Sequence, residues 1–104
     1  MPTLDSLPAD RRAIIELVLR QAKPYGEIAG MLDMPDSRVR AYARESLGEL
    51  APRSAQRVDP AWRDKVADYL LGQLEGADAD AARAHIAASE PARTWSHSVI
   101  DSLG

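Results

Sequence analysis

The chain has 104 residues, a formal net charge of −3, 45% hydrophobic residues, no phenylalanine and no cysteine. The length suits one compact domain or two small helical ones, and the sparse aromatics imply thin cores of Leu, Ile, Val and Ala. The missing cysteines exclude disulfides, thiolate catalysis and cysteine-bound zinc, while the acidic balance argues against strong, unassisted binding to DNA.

The opening "MPTLDSLPAD" is polar and lacks the apolar centre of a signal peptide, and no run approaches the ~20 apolar residues of a membrane span. Apolar residues then recur with helical spacing and never alternate over the length of a strand. In "LPADRRAIIELVLRQA" Pro8 suits a first turn. Ile14, Leu17 and Val18 fall on one face, with Ile15 and Leu19 widening it. Pro24 and Gly26 end that helix, and "YGEIAGML" forms a short second one with Ile28, Ala29 and Leu32 inward. "DMPDS" is a turn from which Asp36 or Ser37 caps a third helix, "SRVRAYARESLGEL", with Val39, Ala43, Leu47 and Leu50 as its stripe.

Residues 51–60, "APRSAQRVDP", carry two prolines and no stripe, so they read as a linker. Asp59 then caps a helix with Pro60 in its first position. In "AWRDKVADYLLGQL" the residues Trp62, Val66, Tyr69 and Leu70 share a stripe, and Gly76 breaks the run. Asp78 or Asp80 starts an Ala-rich helix through Ile86 to about Ala88. Ser89 or Glu90 caps a last helix with Trp95, Val99 and Leu103 as its stripe. Trp62 and Trp95 are both expected to be largely buried, with Leu74 and Ile86 beside them. The expectation is three helices on each side of a linker.

A short helix, a turn of three or four residues and a longer amphipathic helix make a helix-turn-helix, although a plain three-helix bundle has the same spacing. The combination of "LP" before an Arg- and Ile-rich helix, "YGEIAGML", a turn and a Val four residues into a basic helix resembles region 4 of bacterial extracytoplasmic-function sigma factors over residues 7–50. That resemblance implies that the third helix reads promoter-like DNA through Ser37, Arg38, Arg40, Ala41 and Arg44. Arginine can hold guanine in a bidentate fork or neutralise a phosphate. In a plain bundle the same arginines would only solvate an outer face. Some positions depart from the family pattern: Asp33 in the turn, Asp36 at the groove end, and Tyr42 and Glu45 where basic residues are usual. Arg38, Arg40 and Arg44 are offset by Asp36, Glu45 and Glu49, so the helix supplies little net phosphate neutralisation. No counterpart of region 2 lies in these residues, so they are not expected to act as a sigma factor alone.

In the second half, "VADYLLGQLEGADADAARAHIAASEPARTW" resembles the anti-sigma domain of zinc-associated anti-sigma factors. His85 falls at that family's histidine, while Ser89 and Ala92 stand where it has cysteines. Serine is a poor zinc ligand and alanine is none, so a metal-free version is implied. His85 then reads more simply as a partly buried histidine at a helix end. His97 has no partner set, and Asp78 and Asp80 are ordinary acids of a helix N-terminus.

The resulting expectation is an all-α protein with a sigma-region-4-like helix-turn-helix at residues 1–50, a linker at 51–60 and a zinc-less anti-sigma-like helical domain at 61–104. Its function would be transcription regulation, with DNA binding controlled in cis by the second half. The alternative is a protein-interaction module that binds a sigma factor, RNA polymerase or a second copy of itself without reading DNA. No catalytic constellation, cofactor site or membrane contact is expected. The location is expected to be cytoplasmic, in a free protein or in the cytoplasmic part of a membrane-anchored one.

Overall fold

The helices pack around one continuous core that draws on both halves of the chain. The computed structural model describes residues 3–103. A single turn of 3₁₀ helix at Leu4–Ser6 leads into α1 (Ala9–Gln21), α2 (Tyr25–Leu32), α3 (Asp36–Leu50), α4 (Pro52–Arg57), α5 (Pro60–Leu70), α6 (Gly76–Ala88) and α7 (Glu90–Leu103), with no strand among the described residues.

The stops between α1, α2 and α3 use two left-handed residues and two prolines. Ala22 ends α1 with φ 52°, and Asp33 ends α2 with φ 53°. Aspartate tolerates this region better than most residues, so Asp33 can end α2 there without a glycine. Pro24 and Pro35 stand immediately before α2 and α3, and their carbonyls accept the first helical amides. Helix α3 therefore starts at Asp36 without a side-chain cap. The expected capping role of Asp36 or Ser37 is not seen, because the Asp36 carboxylate accepts from Arg40 Nε one turn along instead.

The stripe of α3 is the one the spacing predicts: Val39, Ala43, Leu47 and Leu50 are buried. They meet Ile14, Ile15 and Val18 of α1 and Tyr25, Ile28 and Ala29 of α2. Leu32 and Leu17 are only partly buried and Leu19 is exposed, so the inward faces of α1 and α2 are narrower than expected.

Residues 51–60 are not an open linker. Pro52 starts α4 directly behind Ala51, and Ala51, Ala55 and Val58 are buried. The small residues let α4 lie close against α7, and α3 also touches α5 and α7. One hydrophobic core thus runs from Leu7 to Val99 through both halves.

Asp59 caps α5 as expected, its carboxylate accepting from Ala61 N at 3.0 Å with Pro60 in the first turn. The buried residues of α5 are Val66, Ala67 and Asp68, so its inward face is rotated from the expected stripe of Trp62, Val66, Tyr69 and Leu70. Trp62 is correspondingly half-buried, not fully buried. Its ring stacks on His85 at 4.3 Å, with Lys65 Nζ 4.8 Å from its centre. Trp95 is 0% exposed. Gly72 (φ 70°) turns the chain after α5, and Gly76 (φ 57°) begins α6 where a break was expected.

Candidate nucleic-acid interface

The N-terminal part of α3 is the open surface of the helix-turn-helix. Ser37, Arg38, Arg40 and Ala41 are all exposed there, on the side away from Val39 and Ala43. Arg40 bonds Asp36 and its guanidinium lies 5.3 Å from the centre of the Tyr25 ring. Four of the five expected DNA-reading residues are therefore gathered at one end of α3 and face solvent.

Arg44, the fifth, is engaged elsewhere. It is one helical turn beyond Arg40, and its side chain is 30% exposed. Its Nε and one terminal nitrogen donate to the two carboxylate oxygens of Asp68 at 3.0 and 2.7 Å. Asp64, one turn before Asp68 on α5, adds a second carboxylate at 3.6 Å. Asp68 is 5% exposed and also accepts from the Tyr25 hydroxyl at 2.8 Å. Burial, the Asp68 charge and its hydrogen bond push the Tyr25 hydroxyl well above the usual tyrosine range. The hydrogen bond from Arg44 to Asp68 raises the arginine's proton affinity further.

Gln73 completes this contact. Its Oε1 accepts from Tyr25 N at 2.9 Å, and its Nε2 donates to Lys23 O at 3.1 Å. Tyr25 N is one of the amides at a helix N-terminus that lack an intrahelical acceptor, so the second half satisfies a group that the first half leaves open. The α5 helix and the loop after it hold both helices of the motif.

Tyr42 and Glu45 departed from the expected basic pattern for a reason visible in the packing. Arg11 of α1 donates to Glu45 at 3.0 Å and stands 4.6 Å from the centre of the Tyr42 ring. These residues brace α1 against the flank of α3. Between α3, α4 and α5 lies an open groove of about 500 Å³, lined in part by Ala41, Arg44, Gln56, Arg63 and Asp64.

In the second half, Ser89 and Ala92 have structural work. Ser89 Oγ accepts from Ala92 N at 3.3 Å at the start of α7, and Ala92 is fully buried. His85 is partly buried against Trp62, and His97 is exposed. Asp80 pairs with Arg83 on the surface of α6. Among the described residues no three His, Cys, Asp or Glu side chains are grouped to hold a metal.

Tyr25, Asp68 and Gln73 were not among the sequence-derived candidates. Tyr25 carried a signal as the aromatic of "YGEIAGML". Asp68 carried one too, as a lone acid between Ala67 and the apolar Tyr69, Leu70 and Leu71. Only the fold shows that the two meet.

Helices α1 to α3, with a three-residue turn before an exposed basic helix end, define a helix-turn-helix domain. Residues 3–50 match the family described as "Sigma-70, region 4". The first half is thus a sigma-region-4-like helix-turn-helix, and the match ends where α3 ends. No curated protein and no solved structure matches the chain.

Proposed function

We propose that the chain is a transcription regulator whose helix-turn-helix contacts promoter-like DNA weakly through α3, under control in cis of an anti-sigma-like second half. The observation that carries the reading is the region 4 match over residues 3–50, ending on a helix that exposes Ser37, Arg38, Arg40 and Ala41. The N-terminal residues of the second helix in such a motif face the bases. Region 4 relatedness makes RNA polymerase or a sigma factor a further partner in this reading. No catalytic role is proposed. No helix among the described residues is long and apolar enough to cross a membrane, and the proposed location is the cytoplasm.

A second reading is a protein-interaction module that does not read DNA. It is favoured by the balanced charge of α3 and by the engagement of Arg44 with Asp68. Titration of labelled duplex DNA at two salt concentrations separates the two. Weak, salt-dependent binding is expected, and an Arg38→Ala, Arg40→Ala double variant should lose it. Each lost phosphate contact should lower the salt slope by about one unit. No binding even at low salt, or an unaffected double variant, would replace the first reading with the second.

A further inference from the structure

We infer that Asp68 is an acidic decoy: it occupies the guanidinium of Arg44 in the place of a DNA phosphate, so that the chain as folded is a closed state and DNA must displace the carboxylate. The inference rests on the DNA-binding reading above and specifies how that binding is regulated.

The geometry is that of a phosphate contact. Two nearly parallel donors from Arg44 reach two oxygens of one anion, at 3.0 and 2.7 Å. Carboxylate and phosphate fit this fork equally well, and one guanidinium cannot serve both in this way at once. Arg44 lies seven residues beyond Ser37 on the same helix. The spacing is ~10 Å along the axis at about 1.5 Å per residue, within the span of a groove-docked helix.

Packing alone does not call for an acid at residue 68. Val66, Ala67 and Leu71 already provide the apolar contact between α5 and the shared core. A carboxylate only 5% exposed carries a desolvation penalty that an apolar residue would avoid. What it gains is directed recognition: Arg44 on one side and the Tyr25 hydroxyl on the other. Asp64 adds a second negative charge next to the same guanidinium. Gln73 fastens the decoy, since it binds the backbone on both sides of Pro24 and so fixes the start of α2 against the loop after α5. DNA binding at Arg44 and the closed contact are therefore mutually exclusive, and the fraction of open molecules scales the apparent affinity.

The test uses the full chain. Asp68→Asn keeps the size of the side chain and an acceptor for Tyr25 but removes the charge. It should tighten binding to a labelled duplex at low salt by tenfold or more, and Gln73→Ala should tighten it by a smaller factor. Adding the Arg38→Ala, Arg40→Ala pair to wild type and to Asp68→Asn should weaken both. If that pair weakens binding but neither Asp68→Asn nor Gln73→Ala tightens it, the decoy is overturned while the DNA reading survives. If the pair changes nothing in either background, the DNA reading falls and takes the decoy with it. Should circular dichroism show the Asp68→Asn chain unfolded, hydrogen exchange in wild type decides. Saturating duplex should speed exchange of the Tyr25 amide that Gln73 protects. Unchanged protection with DNA bound would overturn the proposal.

Discussion

Arg44→Ala should destabilise the protein more than Asp68→Ala does, and the difference follows from which partner is buried. The Asp68 side chain is 8% exposed and that of Arg44 30%. Deleting the arginine leaves a buried carboxylate with one neutral hydrogen bond, from Tyr25. Stripping one partner from a fully buried ion pair costs ~3–5 kcal/mol. Solvent reaches the arginine side here and screens the pair, so ~2–3 kcal/mol is the expected cost. For a chain of this size that lowers Tm by about 10 °C or more. Deleting Asp68 instead frees Arg44 into solvent and leaves only the Tyr25 hydroxyl without its acceptor, a loss of ~1–2 kcal/mol. In the double variant the two losses should not add, and the coupling should amount to ~1–2 kcal/mol. Urea unfolding followed by tryptophan fluorescence measures all four corners of the cycle. Arg44→Ala within about 0.5 kcal/mol of wild type, the range of an ordinary surface change, would refute the reasoning. So would Asp68→Ala being the more damaging of the two.

The two tryptophans should behave unequally. Trp95→Ala removes a fully buried ring and should cost ~3–5 kcal/mol. Trp62→Ala removes a half-buried ring stacked on His85 and should cost about half as much; equal losses would contradict the rotated face of α5. A chelator should leave Tm unchanged, because Ser89 and Ala92 are committed to starting and packing α7; a fall of several degrees would reveal a structural metal. The Tyr25 hydroxyl is held neutral in the fold beyond the range of a free tyrosine, which ionises near 10. Its contribution to stability is therefore complete below about pH 10 and declines above it, as the unfolded chain gains a phenolate that the native one resists. Tyr25→Phe should flatten that alkaline decline, and phenolate absorbance in native wild type should show one tyrosine that ionises only on unfolding.

Much of the fold was legible because local signals agreed with one another. The stripe Val39, Ala43, Leu47 and Leu50 is fully buried, and the Asp59–Pro60 start of α5 is where the cap and the fixed proline angle put it. The exposed residues of α3 were likewise legible from period and type. Residues 51–60 failed for a physical reason. A short helix that packs through Ala51, Ala55 and Val58 has no large apolar stripe to find, and its prolines look like breaks although Pro52 is a first-turn residue. Trp62 failed because a stripe defines a face but not the neighbour it meets. On α5 the buried residues are Val66, Ala67 and Asp68, and Asp68 reaches across to Tyr25 and Arg44 of the first half. The Arg44–Asp68 contact joins residues 24 positions apart, and no spacing rule for a single helix reaches that far.

Ala51 is the one residue between α3 and α4, and only Val58 and Asp59 separate α4 from α5. Val58 is 1% exposed, so that second joint is anchored in the core. The carboxylate opposite Arg44 is thus delivered on a short, stiff tether, whose effective local concentration reaches the millimolar range even for a flexible short linker. A duplex free in solution competes against that concentration, not against bulk anions. In the proposed reading, dilute DNA alone would open few molecules. A ligand that grips α5 or α7 would shift the competition by removing the tethered rival, and would alter DNA affinity without touching α3.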